Sequence, residues 1–400
     1  MNSISVSSTS PDTGSLDASD EAFHTGGVVT VAAAHSVHDT YSAFLSPLLP
    51  VLIENLEITK TAAGILTVFY QGPSLLQPLI GHLGDRVNLR VLVVIAPTLA
   101  AIAFTLLGLA PTYGILALLL VVAGLSSAGL HSIGPVLTGQ MAGRSLGRAM
   151  SIWMVGGELG RTLGPIITVA AVAYLTPRGL PALIPGGLLA SLIAYIRIRN
   201  LPDRRPTSGQ HSRWQESLTQ MRPILPALAL VISTRALLIM ALSSFLPTFM
   251  TEQGEGLWVA GISLSIMQAA GVVGALTGGS LSDYLGRRRV LVIMSLAAPL
   301  AALVFLYTQG WLRLVLLPVV GFTLLSTTPV VMALVQERVS GGRALANGIY
   351  MALNFVITSI AVVMVGAIGD RFSLHAAFLT ATIVMMVGVP SVFSLTRHEK

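Results

Sequence analysis

Apolar runs separated by short polar connections fill the chain from about residue 26 to residue 395. They fall at about 26–53, 61–83, 89–109, 113–141, 148–175 and 181–196. After a wider gap they resume at about 223–250, 257–282, 290–308, 312–336, 346–369 and 375–395. Runs of about 20 apolar residues are long enough to cross a bilayer as helices. The pattern predicts an all-α polytopic membrane protein with twelve transmembrane helices in two pseudo-symmetric six-helix bundles. The gap at 197–222 holds Pro202, Pro206 and six arginines and reads as a linker between the halves. Residues 1–25, rich in Ser and Thr with Asp12, Asp17, Asp20 and Glu21, cannot build a core and are expected to be a disordered tail. The resulting plan is tail 1–25, first half 26–196, linker 197–222, second half 223–395 and a short tail 396–400.

Composition agrees with this pattern. The chain is 53% hydrophobic and 10% charged, with a mean hydropathy of +0.79, whereas soluble domains carry about a quarter charged residues. Charge adds orientation. Of 23 Lys and Arg, seventeen lie in alternate connections, including Arg86, Arg90, Arg144, Arg148, the linker arginines, Arg287, Arg288, Arg289, Arg338 and Arg343. The opposite connections hold only Lys60, Arg178, Arg313 and Arg371. This asymmetry places both termini in the cytoplasm and accounts for the +6 net charge without a nucleic-acid partner. The first 25 residues lack Lys, Arg and an apolar core, so no cleavable signal peptide is expected. With no cysteine, disulfides and thiolate metal sites are excluded.

One short charged turn occurs twice. Gly81-His82-Leu83-Gly84-Asp85-Arg86 and Gly279-Ser280-Leu281-Ser282-Asp283-Tyr284 both read Gly-x-Leu-x-Asp and lie 198 residues apart (283 − 85). Each follows the second apolar run of its half. This pairing in two six-helix halves resembles the major facilitator superfamily, over nearly the whole chain from about Gly26 to Leu395. Gly156, Gly160, Gly164 and Pro165 are similar to that superfamily's Gly-rich fifth-helix motif, which is associated with drug–proton antiporters. Gln71 to Pro78, His35 to Asp39 and Leu130-His131 are similar to its fosmidomycin-resistance branch. That branch's His-Pro-Glu is here His131-Ser132-Ile133. The resemblance implies that Asp85 and Arg86 latch the cytoplasmic side when the cavity opens outward, reaching the eleventh helix near Arg343. It implies that Asp283 and Arg287 do likewise against the fifth helix near Arg148. Without the resemblance, the two turns would be plain tight turns with inside arginines.

Ionisable side chains cost several kcal/mol within a bilayer, so those inside the predicted helices are candidates for function. His35, His38 and Asp39 share one face of the first helix at i, i+3 and i+4. They are expected either to handle protons or to form a structural hydrogen-bonded cluster. With His131 they also have donor types for a divalent ion. Lacking a second such cluster, the chain is expected to hold no metal and no cofactor, with a proton gradient as its energy source. Glu158 and Arg161 either neutralise each other, or exchange a proton and bind an anionic group respectively. Arg235 is a second substrate contact, a partner for Asp39 or Glu158, or a snorkelling side chain. Tyr41, Tyr70, Gln71, Trp153, Gln268 and Asn354 are candidate cavity residues, and His131 is a candidate substrate contact. The glycines of the fifth helix suit close helix packing, alone or between the halves.

These readings predict a monomeric secondary transporter of the bacterial inner membrane, whose partners are a small molecule and the lipid bilayer. It would export a small drug-like or anionic compound by proton antiport and alternating access. The alternative is a proton-coupled uptake symporter for an organic anion. A metal transporter, an intramembrane enzyme and a sensor are further readings. No His-Glu-x-x-His and no Gly-x-x-x-x-Gly-Lys-[Ser/Thr] supports an enzyme or a nucleotide-driven pump.

Overall fold

The computed structural model describes residues 23–84, 86–199, 219, 221–337 and 343–395, without the side chains of 336, 337 and 343–348. Most of the predicted tail and linker, the short tail 396–400, Asp85 and the Arg343 side chain therefore lie outside the described residues.

Twelve helical crossings follow one another among the described residues. In the first half, α1 comprises Thr25–Ser42 and Leu45–Leu56. Lys60–Gln71, a 3₁₀ stretch Gly72–Leu76 and Gln77–Gly84 form α2. Arg90–Leu106 is α3, Tyr113–Gln140 is α4 and Leu146–Leu175 is α5. A 3₁₀ turn Pro177–Leu183 and the helix Ile184–Ile198 form α6. In the second half, α7 is Leu225–Glu252, α8 is Leu257–Leu285 and α9 is Arg287–Tyr307. Trp311–Leu325 with Thr327–Glu337 is α10, and Arg343–Arg371 is α11. Leu374–Gly388 with Pro390–Leu395 is α12. The first segment, read from the sequence as one helix, is thus two. Proline explains the break: the Pro47 ring clashes with the carbonyl four residues earlier, that of Ala43. Pro73 and Pro78 interrupt α2 in the same way.

The crossings run alternately between the face where α6 ends and α7 begins, the linker face, and a far face. Threonine and serine caps start three of the helices at the far face: Thr59 accepts from the Ala62 amide, Thr112 from Ile115 and Ser373 from Ala376. Each satisfies one of the orphan donors of a helix start. Within the first half, α5 lies directly on α1. A methyl group on Gly156, Gly160 or Gly164 would overlap the carbonyl oxygens of Ala32, Ser36 and Thr40 respectively. The stripe therefore packs the half against itself, where close backbone approach replaces the water exclusion that a membrane cannot provide.

The halves meet through α2 with α11, α5 with α8, and the second piece of α1 with α7. The core is divided accordingly. One buried cluster, with Phe44, Phe104, Phe245, Phe249, Phe305 and Phe378 at its centre, spans both halves toward the far face. Toward the linker face each half has its own cluster, one around Trp153 and Leu130, the other around Val331 and Leu228. The halves thus share one core at the far face and have separate cores at the linker face.

Candidate functional site

A cavity of ≈ 370 Å³ lies where the halves part. Both interrupted helices of the first half feed it. The break in α1 places Asp39, Ser42, Ala43, Leu45 and Ser46 on its wall, and α2 brings Tyr70 and, in and beside its 3₁₀ stretch, Gln71, Ser74 and Gln77. Ser127 and His131 of α4 and Arg161 of α5 complete the first-half wall. The second half contributes Ser243, Ser244, Leu264 and Gln268. All the ionisable lining groups come from the first half. Irregular backbone at such a site is tolerated because it borders a cavity rather than lipid.

Asp39 is the centre of the polar wall and is 3% exposed. Its Oδ1 accepts a hydrogen bond from His38 Nδ1 at 2.9 Å, and its Oδ2 lies 3.3 Å from His35 Nε2. His131 Nε2 is 3.9 Å from Oδ1, and Arg161 Nη1 is 4.0 Å from Oδ2. Arg161 also pairs with Glu158, three residues before it on the same helix. His35 and His131 face each other with their Nε2 atoms 3.2 Å apart.

The tautomers follow from the other ring nitrogens. His35 Nδ1 lies 3.1 Å from the Trp153 carbonyl oxygen and His131 Nδ1 lies 2.9 Å from that of Ser127. A carbonyl only accepts, so both Nδ1 atoms carry hydrogen and donate. In the neutral rings, both Nε2 atoms are then bare acceptors, turned toward each other and toward a carboxylate. Three facing acceptors repel. One proton on His35 Nε2 converts them into a donor with two acceptors. The indole of Trp153 lies stacked on the His35 ring at 3.8 Å between centroids and 18° between planes, which fixes the plane of the imidazole.

The structure thus brings together His35, His38, Asp39, His131, Glu158 and Arg161, with Gln71 and Gln268 on the same cavity. Other candidates lie elsewhere. Arg235 reaches neither Asp39 nor Glu158: it is buried in the second half and donates to the Leu324 carbonyl at 3.2 Å. Tyr41 donates to the Leu183 carbonyl at 2.5 Å, tying α1 to α6. Trp153 stacks on His35 and is not on the cavity wall. Asn354 is on α11, away from the cavity wall, where its carbonyl accepts from Thr358.

Of the linker-face turn residues, Asp283 pairs with Arg287 at 3.4 Å within its own turn. The Arg148 guanidinium sits 4.8 Å over the Phe23 ring. Asp85 and the Arg343 side chain, which the first expected latch needs, lie outside the described residues.

A far-face latch had no counterpart in the sequence reading. Asp370, at the end of α11, receives the Lys60 amide at 2.7 Å, the Thr61 amide at 2.9 Å and the Thr61 hydroxyl at 2.5 Å. A carboxylate here meets the positive start of α2. Lys60 Nζ adds an ion pair to Glu252 of α7 at 2.9 Å. Asp370 lies near the end of its apolar run, so a search for charges deep in the membrane passes over it.

Two six-helix halves closed at one face around a cavity walled by polar groups define a membrane transporter rather than an enzyme. The chain belongs to the Major Facilitator Superfamily, whose family profile matches residues 31–342 and 261–400. It is 24% identical over 383 residues to the fosmidomycin resistance protein of Escherichia coli (strain K12), covering 92% of this chain and 93% of that one. It is 27% identical over 266 residues to the multidrug efflux pump Tap of Mycolicibacterium fortuitum, covering 63% of this chain and 64% of that one. Among solved structures, a bacterial homologue of the human lysosomal transporter Spinster, inward-facing and unoccupied, superimposes with a TM-score of 0.77. The identity there is 16%, over 94% of this chain and 97% of that one.

Proposed function

We propose that the protein exports small drug-like compounds from the cytoplasm by proton antiport, acting as a monomer in the bacterial inner membrane with both termini inside. The observation that carries this reading is the His35–Asp39–His131 cluster on the cavity wall. A proton there satisfies facing acceptors. Without the proton, the cluster is an excess of acceptors beside the cavity, suited to a ligand that presents hydrogen-bond donors or positive charge. Proton and ligand then exclude each other, which is the requirement for antiport. The names of the two curated relatives, a drug-resistance protein and a multidrug efflux pump, agree with export. With the linker in the cytoplasm, the cavity in this structure opens inward, the state that would collect a compound for export.

Arg161 favours a second reading. Its side chain is 44% exposed, so a phosphonate or carboxylate could engage it bidentately. An anion bound there would draw the proton to the cluster rather than expel it, giving symport. The two readings separate in reconstituted vesicles. Ethidium, a cation, is expected to drive protons the opposite way across the membrane, and Arg161→Gln is expected to retain that exchange. Movement of protons with fosmidomycin, abolished by Arg161→Gln, would instead establish symport of an anion.

The latch gives a conformational prediction. Replacing Asp370 by Ala removes three hydrogen bonds to a charged acceptor, each worth about 1.5–3 kcal/mol. Losing part of that is enough to shift the balance between inward- and outward-open states at least about tenfold. Since the chain has no cysteine, a single Ser46→Cys in the cavity reports the change. Its labelling by an impermeant thiol reagent from the far face should rise in Asp370→Ala; unchanged labelling would remove Asp370 from the gate.

A further inference from the structure

We infer that His35, Asp39 and His131 also form a binding site for a borderline divalent transition-metal ion, of which Zn²⁺ is the representative. The donor atoms are His35 Nε2, His131 Nε2 and a carboxylate oxygen of Asp39. The two nitrogens are 3.2 Å apart, His35 Nε2 is 3.3 Å from Oδ2, His131 Nε2 is 3.9 Å from Oδ1, and one atom from each residue lies within 4.8 Å of the other two. For Zn–N and Zn–O bonds of about 2.0–2.1 Å, tetrahedral ligands stand about 3.3–3.4 Å apart. The nitrogen pair and the His35–Asp39 pair already stand at that spacing, and a turn of the Asp39 carboxylate or of the His131 ring brings the third pair to it. These residues are the single described group of three or more His, Asp and Glu with ligand atoms close enough to hold a metal.

The second observation is how the ligands are held. Both imidazoles donate their Nδ1–H to a backbone carbonyl, of Trp153 and of Ser127. The Asp39 carboxylate accepts from His38 Nδ1. A metal-ligating histidine almost always has such an outer partner, which fixes the tautomer and aims the bare nitrogen at the ion. Here each of the three ligand side chains has one before any ion binds. The fourth position faces the cavity, which touches both Asp39 and His131 and can supply water. Arg161 is the nearest opposing charge, 4.0 Å from Asp39, and its pairing with Glu158 offsets it. Two imidazoles and one carboxylate without thiolate select zinc, cobalt or nickel over magnesium and calcium, which demand more oxygen ligands.

The metal site shares its side chains with the proposed proton site, but metal binding is measured without transport. Purified full-length protein is titrated with Zn²⁺ against a chromophoric chelator, and with Co²⁺ followed by visible absorption. One ion per chain is expected, with intense Co²⁺ bands of a four-coordinate site. His131→Ala should weaken binding at least tenfold while unfolding thermally like the native protein. X-ray absorption of the zinc-loaded native protein needs no variant and should show two imidazoles with oxygen donors. Absence of stoichiometric binding, equal affinity in a folded His131→Ala, or a shell without imidazole overturns the site. Zinc binding with proton coupling intact in Asp39→Asn would leave the metal site standing and remove the coupling role. Coupling lost in Asp39→Asn with no zinc bound by the native protein would do the reverse.

Discussion

Vesicles containing the Asp39→Asn variant are expected to be unable to use a pH difference. In native protein a gradient of about 2 pH units supplies about 2.7 kcal/mol per proton, enough for about 100-fold accumulation of an exchanged compound. The replacement amide keeps the size and most of the hydrogen-bonding shape of the side chain. It removes the negative charge that pairs with His35, His38, His131 and Arg161. The accumulation ratio should fall to about 1, while exchange down a concentration gradient persists, because cavity and gates remain. Accumulation equal to native would place the coupling group elsewhere. Glu158→Gln, assayed beside it, should cause a smaller loss, since Glu158 touches the cluster only through Arg161.

The second large effect is mechanical. Gly160→Leu is expected to destabilise the protein at least as much as an overpacked core, about 1–3 kcal/mol, because the obstacle is backbone that cannot turn aside. Even a methyl there would overlap the Ser36 carbonyl and come within 2.9 Å of Asp39 Cβ and of the Thr40 amide nitrogen. Gly147 is the matching reference position, with open space around its would-be Cβ. Thermal unfolding in detergent should show a clear loss for Gly160→Leu and little change for Gly147→Leu. Equal midpoints would mean that α5 and α1 are free to separate, which the proposed geometry does not allow.

How much of this was legible in the chain differs by feature. The bilayer enforces long apolar runs, so the twelve crossings could be read directly. The break at Ala43 was written in Pro47, but proline does not always interrupt: Pro97, Pro135 and Pro165 sit inside continuous helices. Asp39 with His35 and His38 stood out because helical spacing puts them on one face. That His131 joins them depends on the rotation and depth of α4 against α1, which no local pattern encodes. Arg235 illustrates the converse. Its rarity in an apolar run marked it as a candidate, yet its helix turns it into the second half, toward the Leu324 carbonyl. Asp370 was missed because a carboxylate at a helix end is ordinary until its partner, the start of α2, is known.

Substrate-driven proton movement tests the central claim most directly. Ethidium is added outside vesicles carrying an interior pH dye, with native protein and with Asp39→Asn. Ethidium entering through the native protein should drive protons out and make the interior alkaline, with no such change in Asp39→Asn. An acidified or unchanged interior with native protein, or the same alkalinisation in Asp39→Asn, would contradict proton antiport through this cluster.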